Sequence, residues 1–194
     1  MPATPKASRP PDDGRRRFEE LYAAHRAQIL GYALRRTADP QDAADILAET
    51  FLVAWRRLEA VPHGTEARLW LYGVARRVLA NHHRGARRRS ALNLDLADRL
   101  RSDLAVHHVP EDPGELASVA EAFRELPEGD RELLALVGWE GLDHGEIATV
   151  LGCSRNAVRI RLHRARRRFA RELERRGASA PQSRTLATAH GESA

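Results

Sequence analysis

The chain has 194 residues, room for one medium domain or two small ones. Charged residues make up 30% and aromatics 5%, which favours small helical units with solvated faces over a large aromatic-rich core. The net charge is +5, Lys6 is the only lysine and Cys153 the only cysteine; this arginine-rich balance suits phosphate and guanine contacts, while an intramolecular disulfide and a Cys-based zinc site are excluded.

Residues 1–14 are rich in Pro, Ser, Asp and Gly and are expected to be disordered; they lack the apolar segment of a secretory signal. A helix is expected from Arg16, with Phe18, Leu21, Tyr22, Ile29, Tyr32 and Ala33 at helical spacing. Asp39 and Pro40 suit the N-cap and first turn of a second helix running to Leu58, with Leu47, Phe51, Trp55 and Leu58 on one stripe. After a loop at Val61–Gly64, Thr65 caps a third helix that turns Leu71, Ala75, Val78 and Leu79 inward and ends in the cationic run Arg84 and Arg87 to Arg89.

Composition changes after Ser90. Residues 91–114 read as a flexible acidic linker carrying Asp95, Asp98, Asp103, Glu111 and Asp112, with a short weak helix at 95–104. Helical pattern resumes near Glu115 with Leu116, Val119, Ala120 and Phe123, breaks at Leu126-Pro127, and returns with Leu133, Leu134, Leu136 and Val137. The tail 177–194 is Ala/Ser/Thr/Pro-rich and is expected to be disordered. No strand alternation and no internal repeat is present. The fold class is all-α: two small bundles, 15–90 and 115–176, on a tether that lets them engage two separated sites.

The segment Gly145–Phe169 carries the clearest chemistry. Ala148, Gly152 and Val158 fall at helix-turn-helix spacing: a small residue for close approach, a glycine for the turn, and a branched residue to lock the second helix. Ser154 suits its N-cap. Val158, Leu162, Ala165, Phe169 and Leu173 form the buried stripe. Arg155, Asn156 and Arg159 are expected at base edges, with His163, Arg164, Arg166 and Arg167 on phosphates and Ser154 counted with them at the DNA-facing start of the helix.

Two other faces stand out. Asp42, Asp45 and Glu49 form an acidic stripe that would repel phosphate; it is either an ordinary solvated face or a protein-docking one. Gly73, Arg76, Arg77, Ala80 and Arg84 place small residues between arginines, which lets a helix approach a nucleic-acid backbone. Trp70 and Tyr72 are either stacking platforms or core residues. His82-His83 and His107-His108 are adjacent pairs, a poor chelate on a helix. No HExxH, P-loop or GxSxG pattern occurs, so no enzyme activity, metal or cofactor is expected. Without a run of about 18 apolar residues there is no membrane span, and a cytoplasmic location is expected.

Two blocks resemble bacterial RNA polymerase sigma factors of the extracytoplasmic-function (ECF) type. Asp42-Ala-Ala-Asp-Ile-Leu-Ala-Glu-Thr-Phe-Leu-Val-Ala-Trp55-Arg56 is similar to the family's D-x-x-D-L-x-Q-E-T-F-L-x-A-W-R in region two. Leu126-Pro-Glu through Glu140-Gly-Leu, Glu146-Ile-Ala, Leu151-Gly and Arg161-Leu-His-Arg-Ala-Arg166 are similar to region four. With Trp70-Leu-Tyr-Gly-Val-Ala-Arg76, the resemblance covers about residues 16–90 and 115–174. It implies that Asp42, Asp45 and Glu49, with Phe51, Leu52 and Trp55, dock on core RNA polymerase. It implies further that Trp70, Arg76, Arg77, Asn81 and Arg84 bind the melted −10 strand, and that the helix-turn-helix reads the −35 duplex. An anti-sigma factor is a common partner in the family. Departures lie at Ala44, Arg77 and Asn81, and at Arg155-Asn156-Ala157; they bear on which promoter is read. The alternatives are a helix-turn-helix regulator that binds DNA without polymerase and an adaptor whose DNA contacts have decayed.

Overall fold

The computed structural model of the chain describes residues 11–92 and 113–176. Among them are seven α-helices and no strand: α1 (Pro11–Leu34), α2 (Pro40–Arg56), α3 (Thr65–Leu92), α4 (Pro113–Arg124), α5 (Glu128–Gly138), α6 (His144–Leu151) and α7 (Arg155–Arg175). A 3-10 turn, Leu58–Ala60, lies between α2 and α3. The all-α class in two helical halves is as the sequence leads one to expect. The weak helix at 95–104, the tail 177–194 and residues 1–10 lie outside the described residues.

Helices α1, α2 and α3 pack mutually to form the N-terminal half. The α1 helix starts at Pro11 rather than Arg16, so residues 11–14 are helical rather than disordered. Asp39 caps α2 by accepting from the Gln41 N–H at 2.8 Å, and Pro40 opens it, where its missing N–H costs nothing. The buried face of α2 is Ala43, Ile46, Thr50, Phe51 and Ala54. This corrects the expected stripe: Trp55 lies 48% exposed. Each fully buried aliphatic side chain such as Ile46 stabilises by roughly 1.5–3 kcal/mol. The buried Thr50 hydroxyl donates back to the Ile46 carbonyl, so it carries no unmet polar group.

The C-terminal half packs α4, α5 and α6 around α7. Arg131 donates to the carbonyls of Arg124 and Leu126, both at 2.7 Å, satisfying the open C-terminal end of α4. Phe123 meets Trp139 and Phe169 edge-on, which fixes α4 against α5 and α7.

The two halves also pack on each other. Helix α6 lies across α3, and the buried side chains of both halves form one cluster running from Ile29 to Leu162. A methyl group at Gly73 would come 3.6 Å from the Val150 carbonyl oxygen. Gly73 thus faces protein here, not the nucleic-acid backbone its spacing suggested.

Candidate nucleic-acid interface

The helix-turn-helix is built by three local devices. Asp143 and Glu146 form a reciprocal capping box at the start of α6: the Asp143 carboxylate accepts from the Gly145 and Glu146 N–H groups, and the Glu146 carboxylate accepts from the Asp143 N–H at 2.9 Å. Those backbone donors hold the Asp143 carboxyl below its ordinary value. Gly152 closes α6 with φ +64°, a left-handed conformation that costs a residue with a Cβ about 1–2 kcal/mol. Ser154 then caps α7, its hydroxyl accepting from the Ala157 N–H at 3.1 Å.

These devices present α7 with Val158, Leu162, Ala165 and Leu173 buried and Phe169 partly so. Arg155, Asn156, Arg159, His163, Arg164, Arg166 and Arg167 are all exposed. Arg159 donates to the Asn156 side chain at 3.0 Å, so two of the expected base readers pre-order each other. Ile160 is 41% exposed and lies one turn after Asn156, opposite the Val158–Leu162 stripe. The sequence reading missed it because it sought donors, and the signal was its place between Arg159 and Arg161. Cys153 is half-buried and packs against the core.

On α3, Arg76, Arg77, Asn81 and Arg84 are exposed, and Arg84 bonds to Asn81. Trp70 is half-buried and packs against the core, so only part of its ring is available for stacking. Tyr72 is a core residue and not a platform: it is buried, with its hydroxyl donating to Glu140 at 3.3 Å. Burial, reinforced by that carboxylate, pushes the Tyr72 hydroxyl up to about 12.

On α2, Asp45, Glu49, Leu52 and Trp55 are exposed and Asp42 is half-exposed, 3.2 Å from His82 on α3. Phe51 is buried, so it supports this face from beneath rather than offering contact. Phe51 and Tyr22 are edge-on at 4.8 Å between ring centroids, and Phe18 and Trp55 at 5.1 Å. Exposed charge and exposed aromatic surface are therefore both carried by α2. Among the described residues no cluster of metal-ligating side chains occurs, and no helix is long and apolar enough to cross a membrane.

Residues 21–89 match the family model Sigma-70 region 2, and residues 116–169 match Sigma-70, region 4. The chain is 30% identical over 169 residues to the RNA polymerase sigma-H factor of Pseudomonas aeruginosa, covering 82% of this chain and 88% of that protein. It is 30% identical over 161 residues to the ECF RNA polymerase sigma factor SigL of Mycobacterium tuberculosis, covering 81% and 89%. Among solved structures, CnrH in complex with the cytosolic domain of CnrY is similar with a TM-score of 0.56 and 27% identity, over 83% of this chain and 90% of that one. The sigma factor RpoE of Bartonella quintana, in complex with the anti-sigma factor NepR, shares the fold with a TM-score of 0.63 at 20% identity, over 81% and 96%. A helix-turn-helix regulator acting without polymerase is not favoured, because region 2 is matched as well as region 4. The chain belongs to the sigma-70 family, as an ECF RNA polymerase sigma factor: a transcription initiation factor that binds core RNA polymerase and recognises promoters.

Proposed function

We propose that the two halves divide the promoter between them. The exposed α7 face reads the −35 duplex: Arg155, Asn156 and Arg159 at base edges, His163, Arg164, Arg166 and Arg167 on phosphates, with Ser154 at the DNA-facing start of the helix. Ile160 adds an apolar contact, which in a major groove suits the thymine methyl. Trp70, Arg76, Arg77, Asn81 and Arg84 hold the −10 strand once it is melted, offsetting the unstacking cost of a few kcal/mol per step with single-strand contacts.

Asp42, Asp45 and Glu49 supply the charge of the polymerase-docking face and Leu52 and Trp55 its apolar area, with Phe51 beneath. Bond making belongs to polymerase, so the factor itself is not an enzyme and needs no metal or cofactor. It works in the cytoplasm, where polymerase and promoter are. An anti-sigma factor is a further partner: RpoE was solved with the anti-sigma factor NepR, and CnrH with the cytosolic domain of CnrY.

The observation that carries this reading is the capped helix-turn-helix with its exposed Arg155–Asn156–Arg159 corner, in one chain with the acidic and aromatic α2 face. The test is reconstitution: the chain added to sigma-free bacterial core polymerase directs start-site selection on genomic template. Absence of both association and defined start sites sinks the reading.

A further inference from the structure

Spacing along α3 separates two faces. Arg77, Asn81 and Arg84, at i, i+4 and i+7, are exposed and belong to the face proposed above for the −10 strand. Leu71, Ala75 and Val78, also at i, i+4 and i+7, are buried. His82 continues that second stripe four residues on, and its side chain is only 22% exposed. It therefore lies on the side of α3 that packs against other helices, although Asn81 and His83 are its neighbours in sequence.

The group it meets there belongs to α2. Nε2 of His82 is 3.2 Å from Oδ1 of Asp42, within hydrogen-bonding distance. Asp42 stands in the first turn of α2, four residues before the buried Ile46. It is thus the member of the acidic stripe set closest to the packed side of α2: Asp42 is half-exposed, whereas Asp45 and Glu49 are exposed. The contact engages one carboxylate oxygen, and 40% of the Asp42 side chain remains open to solvent.

Asp45 is met in a similar way, by the Gln41 amide, which donates to its Oδ1 at 3.2 Å. Two carboxylates of the stripe are therefore each approached by a nitrogen donor that lacks the permanent charge of an arginine. An arginine at either place would neutralise the stripe. An imidazole or an amide directs the carboxylate and leaves its charge for a partner. A side chain directed before it binds also loses less freedom on binding.

We propose that His82 is a positioning residue for polymerase docking: from α3 it holds the Asp42 carboxylate in the direction in which α2 offers it to a basic group of core polymerase. The inference rests on the reading of the α2 face given above, and it adds α3 to the elements that shape that face. A contact between His82 and the −10 strand would require the imidazole to leave the packed side of α3.

The test is a double-mutant cycle on the full chain, read as affinity for core polymerase. His82→Leu removes the donor, and His82→Gln keeps one near the place of Nε2. Asp42→Asn and His82→Leu should each weaken binding about three- to fivefold. His82→Gln should stay within about twofold of wild type, and His82→Leu should cost nothing more once Asp42→Asn is present. Initiation by His82→Leu should fall at limiting factor and recover at saturation. The proposal is overturned if His82→Leu binds as wild type does, if its loss is undiminished in the Asp42→Asn background, or if His82→Gln is equally impaired. A deficit that persists at saturation places His82 on the DNA strand and overturns it as well. If Asp42→Asn alone leaves polymerase binding unchanged, the docking role of Asp42 fails and takes the inference with it; a harmful Asp42→Asn beside a silent His82→Leu sinks the inference alone. Should His82→Leu lose helicity in far-UV dichroism, His82→Ala takes its place in the cycle and the same outcomes decide.

Discussion

The Arg36 guanidinium lies 3.6 Å from the centroid of the Tyr32 ring, while two of its nitrogens reach carboxylates of the other half. A flat cation that stacks and forks at once is something only arginine supplies. Burial opposes its charge, but Glu132, Tyr32 and Glu140 outweigh burial and hold the guanidinium above its ordinary value. Arg36→Lys keeps the charge and loses the fork and the stacking. We expect it to weaken the contact by about 2 kcal/mol. The loss is expected at the contact between the halves: urea unfolding followed by tryptophan fluorescence and by far-UV dichroism, coincident in wild type, should separate into two transitions.

The two buried hydroxyls at the same contact give it an alkaline limit. Burial, then the nearby Glu132 carboxylate, raises Tyr32 well above its ordinary value, and Tyr72 rises to about 12. A group whose folded value is raised stabilises fully below its unfolded value, about 10 for tyrosine, and that contribution is lost as pH climbs through the folded value. The contact is therefore expected to hold to about pH 10 and to fail as pH approaches 12. Tyrosinate absorbance should rise together with expansion in scattering, and Tyr72→Phe should remove the Tyr72 part of the ionisation signal.

The turn between α6 and α7 should resist substitution at two points for different reasons. Gly152→Ala puts a Cβ on a residue at φ +64°, costing about 1–2 kcal/mol. Open space around that position rules out a clash as the cause. Ser154→Ala removes the acceptor for the Ala157 N–H and costs about 1 kcal/mol. Both effects should appear in the thermal midpoint of the full chain, and their sum should approximate the double variant only if the turn relaxes independently at each site.

These local devices were legible in the sequence because each rests on residue type at short spacing. Asp39-Pro40, Gly152 and Ser154 name a cap, a turn and a cap wherever they fall. The contact between halves was not legible. Tyr72 at helical spacing looks the same whether it meets a base or Glu140, and Glu132 sits 96 residues from Arg36, a pairing no periodicity reveals. The α2 stripe was misjudged by a fraction of a turn: Leu47, Phe51 and Trp55 are regularly spaced, yet α1 and α3 press on Ala43, Ile46 and Ala54. Ile46 and Phe51 are buried with Ala43 and Ala54, while Ala44 and Ala48 are exposed, so the side of the helix that meets its neighbours, not residue type alone, sets burial.

The α2 face should separate polymerase binding from DNA reading. Trp55 exposes nearly half its surface on the helix that also exposes Asp45 and Glu49, the form an interface anchor takes. Trp55→Ala is expected to weaken binding to core polymerase at least tenfold, with Asp45→Asn/Glu49→Gln weakening it less and mainly at low salt. Binding of the free chain to a −35 duplex should be unchanged in both. Equal loss on polymerase and on duplex would mean that the substitutions unfold the N-terminal half.

The recognition helix allows base and phosphate roles to be told apart. Arg159→Ala removes a candidate base contact and should cost about 1–3 kcal/mol on the preferred −35 duplex, with little loss on a scrambled one. Arg164→Ala should weaken both duplexes alike and reduce the salt slope by about one ion. Ile160 is the sharper case, because its proposed partner is a methyl group that chemistry can delete. Replacing −35 thymines singly by deoxyuridine should weaken the wild-type holoenzyme at one position. Ile160→Ala should be weaker on the thymine duplex and indifferent to that same replacement. If Ile160→Ala remains as sensitive to deoxyuridine as wild type, the side chain does not meet the methyl, and its exposure is no more than a lone apolar residue on a polar surface.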